Sequence, residues 1–297
     1  MPVHPDAAVP RIEELIRRRS STDRRMGYIW MLVPLLPAIV GMALAISLIG
    51  IIATNISNLA NLGQQQTNAL PIVGEVFALY AIGIIALYTV LLVGSFAIYN
   101  LIERRNGHFR RQQQLFSALQ DHLASALNPS NGANVTSLRQ LNDDSIFQER
   151  DRPSGLWAVL YLFVTPIVSI IVAYNLTLDM RRHDDLQVAS QTALVGAFAD
   201  AKLPPLQVVQ HDPHKRDPML FVVLTVITGG LFWIYWFYTL LKDYNTHFSD
   251  QARFEDEILN VLKPHPPTKL CSACGNVIEG SVKFCPYCGS KQADLQF

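Results

Sequence analysis

All four cysteines of the chain lie within 18 residues, as Cys271-Ser-Ala-Cys274-Gly275 and Phe284-Cys285-Pro-Tyr-Cys288-Gly289. Two CxxC pairs, each followed by glycine, read as two metal knuckles. The short spacing lets two thiolates grip one ion, and the glycine can take the left-handed backbone that so tight a turn demands. Four thiolates complete a tetrahedral shell with no open position, so the expectation is a structural Zn2+ rather than a catalytic one. A redox dithiol or a pair of disulfides fits less well, because no βαβ pattern surrounds the matched pairs. Thiolate ligands must stay reduced, which points to the cytoplasm. A ribbon of this size cannot build a sizeable core, so the metal is expected to supply its folding energy.

A second set of residues is periodic. Tyr99, Tyr174 and Tyr238 are each followed nine positions later by histidine (His108, His183, His247) and four positions after that by glutamine (Gln112, Gln187, Gln251). On a helix, i and i+4 share a face. Such residues suit polar caps of a bundle or contacts to lipid headgroups; three neutral imidazoles would serve metal or proton chemistry only if their helices converged. The tyrosines read as interfacial anchors.

The elements that must carry these residues follow from charge position. The 297-residue chain has 24 basic and 24 acidic residues, is 50% hydrophobic and only 16% charged, and has a mean hydropathy of +0.20. This excludes a disordered chain and a strongly basic nucleic-acid binder. Four apolar stretches, 28–54, 72–99, 156–178 and 219–241, contain no Lys or Arg, and Glu75 is their only acid. Each meets the roughly 20-residue length needed to cross a bilayer. Six arginines lie between Pro10 and Gly27, whereas 55–71 is uncharged, which places the N-terminus in the cytoplasm. Ile12, Leu15 and Ile16 share a face opposite those arginines, so the arm reads either as a solvated basic flank or as a helix on an anionic leaflet. Glu75 reads as solvated at the outer interface, with an intramembrane functional role as the other option.

Each Tyr–His–Gln set continues with helical apolar spacing, at Leu115, Leu119 and Leu123, at Leu186, Ala193 and Ala197, and at Phe254, Ile258 and Leu262, and each stops at proline. The third and fourth stretches match further, since Arg152 and Arg216 each precede their tyrosine by 22 residues. Both carry a breaker near the middle, Thr165-Pro166 or Thr228-Gly229-Gly230. They read as tandem copies. A plain four-span topology would put the middle His-bearing helix on the far side from its sisters, whereas two re-entrant hairpins would keep all three together; both topologies remain open. Irregular backbone at membrane depth must be buried or line a cavity.

The knuckles resemble a short zinc-ribbon family, CxxCG…FCxxCG, attached to the ends of many bacterial and archaeal membrane proteins. The resemblance covers about residues 269–290 and implies a protein-interaction or structural module. The segment VVLTVITGGLFWIYWFYTLLKDYN resembles part of the uncharacterised DUF4234-type membrane domain; neither family supplies catalytic residues. The expected architecture is an all-α integral membrane protein with cytoplasmic amphipathic helices and a small C-terminal zinc ribbon. Its parts are a basic arm (1–27), two transmembrane helices (28–99), a cytoplasmic helix and linker (100–152), the tandem repeat (153–262), a Pro-rich tether (263–268) and the ribbon (269–297). Residues 128–145 and 203–218 read as linkers. No catalytic constellation is found and no nucleic acid is expected. The expectation is a non-enzymatic scaffold or adaptor in the cytoplasmic membrane, both termini cytoplasmic, with a cytoplasmic protein partner or homo-oligomer; the alternative is a small channel or transporter.

Overall fold

In the computed structural model, residues 5–61, 70–127, 132–207, 216–263, 268–279 and 282–292 are described, and they are mostly helical. Helix α1 (Pro5–Arg17) and the short α2 (Arg19–Thr22) precede a 3₁₀ helix at Tyr28–Leu35 and α3 (Leu36–Asn61). Helix α4 (Leu70–Ala126) runs unbroken for 57 residues, because its sequence holds no proline after Pro71. Then come α5 (Ala133–Gln148), α6 (Ser154–Asp200), α7 (Pro218–Ile227) and α8 (Phe232–Leu262). Strands β1 (Thr268–Leu270) and β2 (Val277–Glu279) pair antiparallel.

Three helical segments are long and apolar enough to cross a membrane, Tyr28–Ile56, Gly74–Ala126 and Ser154–Asp200; the fourth apolar stretch yields only the ten residues of α7 before the chain breaks. Length alone misdescribes α6. Arg152 donates to Asp179 through Nε at 2.6 Å and Nη2 at 2.7 Å. A straight helix would hold Ser154 and Asp179 about 37 Å apart, so the chain must turn back between them. It does so at Val164 (φ −136°, ψ 46°), just before Pro166. The next copy repeats the arrangement. Arg216 donates to Asp243 at 2.5 and 3.0 Å across the same 27-residue interval, and the reversal falls at Gly229 and Gly230, whose φ of 59° and 94° suit glycine. Asp217 caps the entry to α7 by accepting from the Met219 and Leu220 backbone N–H groups, with Pro218 at the first helical position.

The arms are about 15–20 Å long, short of the roughly 30 Å of hydrocarbon. Both reversals carry exposed apolar side chains, among them Phe163, Ile167, Ile227 and Leu231. Both apolar stretches therefore fold back on themselves. The hairpins are tied together by buried hydrogen bonds from Trp236 Nε1 to Thr177 Oγ1 (2.9 Å) and from the Tyr244 hydroxyl to the Leu176 carbonyl (3.1 Å).

The His-bearing halves of α4, α6 and α8 leave on one side as a bundle with two apolar clusters. One, nearer the apolar stretches, contains Ile102, Val172, Leu176, Trp236 and Leu241. The other contains Leu115, Leu119, Leu123, Leu194, Phe198, Phe254 and Ile258. Leu186 and Leu262, expected in the stripe, are only half-buried, and Leu194 and Phe198 do more of the filling.

Two expectations change. The N-terminal arm is neither a solvated flank nor a surface helix: Ile12, Leu15 and Ile16 are buried in the distal cluster, and Arg19 pairs with Asp256 at 2.7 Å. Of the expected linker 128–145, residues from Ala133 onward form α5, which buries Val135 and Leu138; residues 128–131 lie outside the described residues. In the linker 203–218, Leu206 is buried, and 208–215 lie outside the described residues, as do 264–267 of the tether. Glu75 is exposed near the start of α4.

Candidate metal centres

In the cysteine cluster, β1 and β2 flank the first knuckle and an isolated bridge between Phe284 and Lys291 flanks the second. The turns are alike: Gly275 N–H donates to the Cys271 carbonyl (2.9 Å) and Gly289 N–H to that of Cys285 (2.8 Å), with φ of 70° and 74° at the two glycines. Cys271 Sγ lies 3.6 Å from Cys288 Sγ, and Cys274 Sγ lies 3.7 Å from Cys285 Sγ. A tetrahedral zinc with bonds near 2.3 Å separates its sulfurs by about 3.8 Å. The four cysteines therefore form a cluster of metal-binding dimensions, and all four ligand atoms lie within 4.8 Å of one another. Hydrogen-bond partners surround it. The Ser290 hydroxyl is 3.2 Å from both Cys271 and Cys288, and Gln292 Nε2 donates to Cys271 at 3.2 Å. The Ser290 contact, with backbone N–H groups of the knuckle, draws the Cys271 thiol down to about 5. Cys274 goes the other way: against the favourable Asn276 contact, burial and the neighbouring sulfurs push it up to about 11. Four crowded sulfurs resist ionising together unless a cation is shared among them.

The second cluster sits between the bundle's two apolar clusters. His108, His183 and His247, from α4, α6 and α8, are all buried, and one ring nitrogen of each lies within 4.8 Å of the others. Their ring centroids form a near-equilateral triangle with sides of 4.9, 5.0 and 5.3 Å, and the planes cross at 64–84°. Every Nδ1 faces a carboxylate. Glu149 Oε1, at the end of α5, is hydrogen-bonded to His183 at 2.7 Å, while Asp23 Oδ1 and Asp184 Oδ1 stand at ion-pair distances of 3.1 and 2.9 Å from His108 and His247. Phe109 stacks on His183 at 4.1 Å and Phe248 lies 4.6 Å from His108. Burial lowers His108, and it lowers His247 to about 3, so both are neutral imidazoles at pH 7.

One helical turn further from the apolar stretches, the glutamines are buried too. Gln187 donates to Gln251, which donates to Glu255 at 3.1 Å, and Glu255 pairs with Arg111 at 2.8 Å. Arg111 also holds Asp23 at 2.7 Å.

The periodic spacing thus brings all three His–Gln sets together. Spacing could not find Asp23 and Glu149, which come from elements outside the repeat; Asp184 is betrayed only by standing next to His183. A further signal was present and unread: an aspartate five residues after the tyrosine in the second and third sets, Asp179 and Asp243, which closes each hairpin. Protein-family models, curated proteins and solved structures return no match to this chain.

Proposed function

We propose that the chain is a membrane-anchored, non-enzymatic scaffold or adaptor whose four cysteines hold a structural Zn2+ in a C-terminal ribbon that docks a cytoplasmic protein or a second copy of itself. The observation that carries this reading is the ribbon's surface. Among the described residues its apolar interior is Cys271, Ile278 and Cys285 with Val282 against them, yet Leu270, Val277, Phe284 and Tyr287 are all 60% or more exposed. So many large apolar groups outside so small an interior suit a protein-binding face. Strong acidity or basicity does not mark this segment, which disfavours nucleic acid. The arginine-rich flank before the first apolar stretch supports a cytoplasmic bundle and ribbon, with the lipid bilayer taking the exposed apolar helices.

The deciding experiment replaces Phe284 and Tyr287 with serine in full-length protein and compares oligomeric state and co-purifying proteins with wild type. Loss of a partner or of self-association, with zinc content kept, supports the reading. No change in either, repeated on deletion of 264–297, sinks it.

A second reading has one observation of its own. A cavity of about 340 Å³ lies between the two reversals, lined by Thr165, Pro166, Ser169, Thr225, Gly229 and Gly230. Broken helices lining such a space resemble transporter sites. Solute or ion flux in reconstituted vesicles would favour that reading; its absence favours the scaffold.

A further inference from the structure

We infer that His108, His183 and His247 form a second metal centre, a tris-imidazole site that binds one divalent first-row transition ion of the zinc class through Nε2 of each ring. It is independent of the cysteine cluster and does not rest on the scaffold reading.

The argument is one of lone pairs. An ionised carboxylate only accepts hydrogen bonds, so a neutral imidazole facing one through Nδ1 carries its proton there. Glu149, Asp23 and Asp184 each occupy that position on a different ring. All three Nε2 atoms are then bare acceptors. His108 Nε2 and His247 Nε2 nevertheless lie 3.1 Å apart, and the buried Nε2 of His183 has no hydrogen-bond partner. Bare lone pairs at that separation repel unless something positive lies between them. A proton shared between His108 and His247 would still leave the buried Nε2 of His183 without a partner, whereas one ion at the centre reaches all three rings.

A metal ion meets every requirement. Tetrahedral zinc with Zn–N near 2.05 Å separates ligand nitrogens by about 3.3 Å, close to the 3.1 Å seen. The steep mutual tilt of the rings is that of three imidazoles converging on a common point. A carboxylate behind each ring is the arrangement that fixes tautomer and orientation and raises ligand basicity in histidine metal sites. Three neutral nitrogens are borderline ligands that suit zinc, copper, nickel and cobalt more than magnesium or calcium. With three protein ligands, a fourth position remains for water or another small donor.

Position adds a structural role. Each histidine comes from a different long helix, and Asp23 and Glu149 extend the set to the N-terminal arm and α5. One ion would join five segments, all at the level where the hairpins end and the bundle begins.

The test is metal analysis of full-length protein purified without a polyhistidine tag. Wild type should carry two metal equivalents, Cys271→Ser/Cys285→Ser one, and His183→Ala/His247→Ala also one, with an unchanged helical circular dichroism spectrum and size-exclusion profile as the sign that the latter still folds. Cobalt loaded into the cysteine variant should give the visible absorption of a low-symmetry nitrogen site. Should the double histidine variant fail to fold, Asp184→Asn supplies the readout: metal at the histidine site should be lost to chelator at 10–100-fold lower concentration than in wild type. One equivalent in wild type, confined to the cysteines, overturns the inference, as does cobalt binding to the cysteine variant that is indifferent to Asp184→Asn.

Discussion

The two hairpins are closed by equivalent ion pairs, yet removing their aspartates should have unequal consequences. Asp179 is 5% exposed and serves two guanidiniums, Arg152 at 2.6 and 2.7 Å and Arg105 at 3.0 Å. Arg105 is 1% exposed and, with Asp179 deleted, keeps the uncharged acceptors of Asn106, Glu149 and Arg150 but loses this carboxylate and cannot reach water. Asp179→Ala therefore strands a buried cation, at a cost of about 3–5 kcal/mol. Asp243 has the same role for Arg216, whose side chain is 25% exposed and can turn outward. Asp243→Ala should cost about 1–2 kcal/mol, the lower figure reflecting solvent screening. For a chain of this size about 1 kcal/mol moves the midpoint by roughly 2–4 °C. Thermal unfolding of detergent-solubilised protein, followed by tryptophan fluorescence, should thus show a fall of roughly 6–20 °C for Asp179→Ala and roughly 2–8 °C for Asp243→Ala. Adding Arg105→Met to Asp179→Ala should recover part of the loss by removing the stranded charge. Equal falls for the two single variants, or no recovery in the double, would refute the claim that Arg105 is the source of the difference.

Hairpin topology predicts that single cysteines introduced at exposed Ser125 and Thr192 label from the same face of sealed vesicles; labelling from opposite faces would require 156–178 to cross. Tryptophan placed at Phe163 or Ile227, the exposed reversals, should be quenched by lipids brominated along the chain and not by a water-soluble quencher. Gly289→Val places a β-branched residue at φ 74°, at a cost of about 1–2 kcal/mol, and should raise the rate of zinc loss to a chromogenic chelator. Burial pushes Glu255 up to about 7 in spite of Arg111. The folded chain then holds a proton that the unfolded chain releases near pH 4.5, so this residue's contribution falls as pH rises from about 4.5 to 7. Wild type should lose stability relative to Glu255→Gln across that window; a constant difference between the two would show that Glu255 stays ionised.

Much of the arrangement was legible because the repeat carries it. Identical Tyr–His–Gln spacing in three helices of similar pitch puts like residues at like heights, and the cysteine spacing alone specifies both knuckles. What escaped is contributed once rather than three times. Residues 133–145 are rich in Asn and Ser, which read as a linker, yet Val135 and Leu138 one turn apart suffice to seat α5. Ile12, Leu15 and Ile16 were recognisable as an apolar face, but sequence does not say whether such a face meets lipid or protein. Apolar length was likewise ambiguous in 156–178: hydropathy registers the residues that go down and those that come back as one run, and only the Arg152–Asp179 pair distinguishes the two.

The polar layer between the apolar clusters is costly in itself. Placing His108, Asp23, Arg111, Asp184 and Glu255 between Ile102 and Leu115 forgoes apolar packing and demands that every donor and acceptor be matched. A layer of apolar residues of similar volume is often the more stable choice. The layer's details show what it does instead. Two of its ring-facing acids, Asp23 and Glu149, come from outside the repeat and the third, Asp184, from within it, and each meets one imidazole so that every ring is oriented toward one shared point. With a cation there, the three Nε2 groups become ligands, and the polar layer becomes the joint between the hairpins and the N-terminal arm. Chelator-induced unfolding should accordingly proceed in two separable steps in wild type, and only the step that depends on the histidines should release α1, detectable as protease cleavage between Arg11 and Arg25.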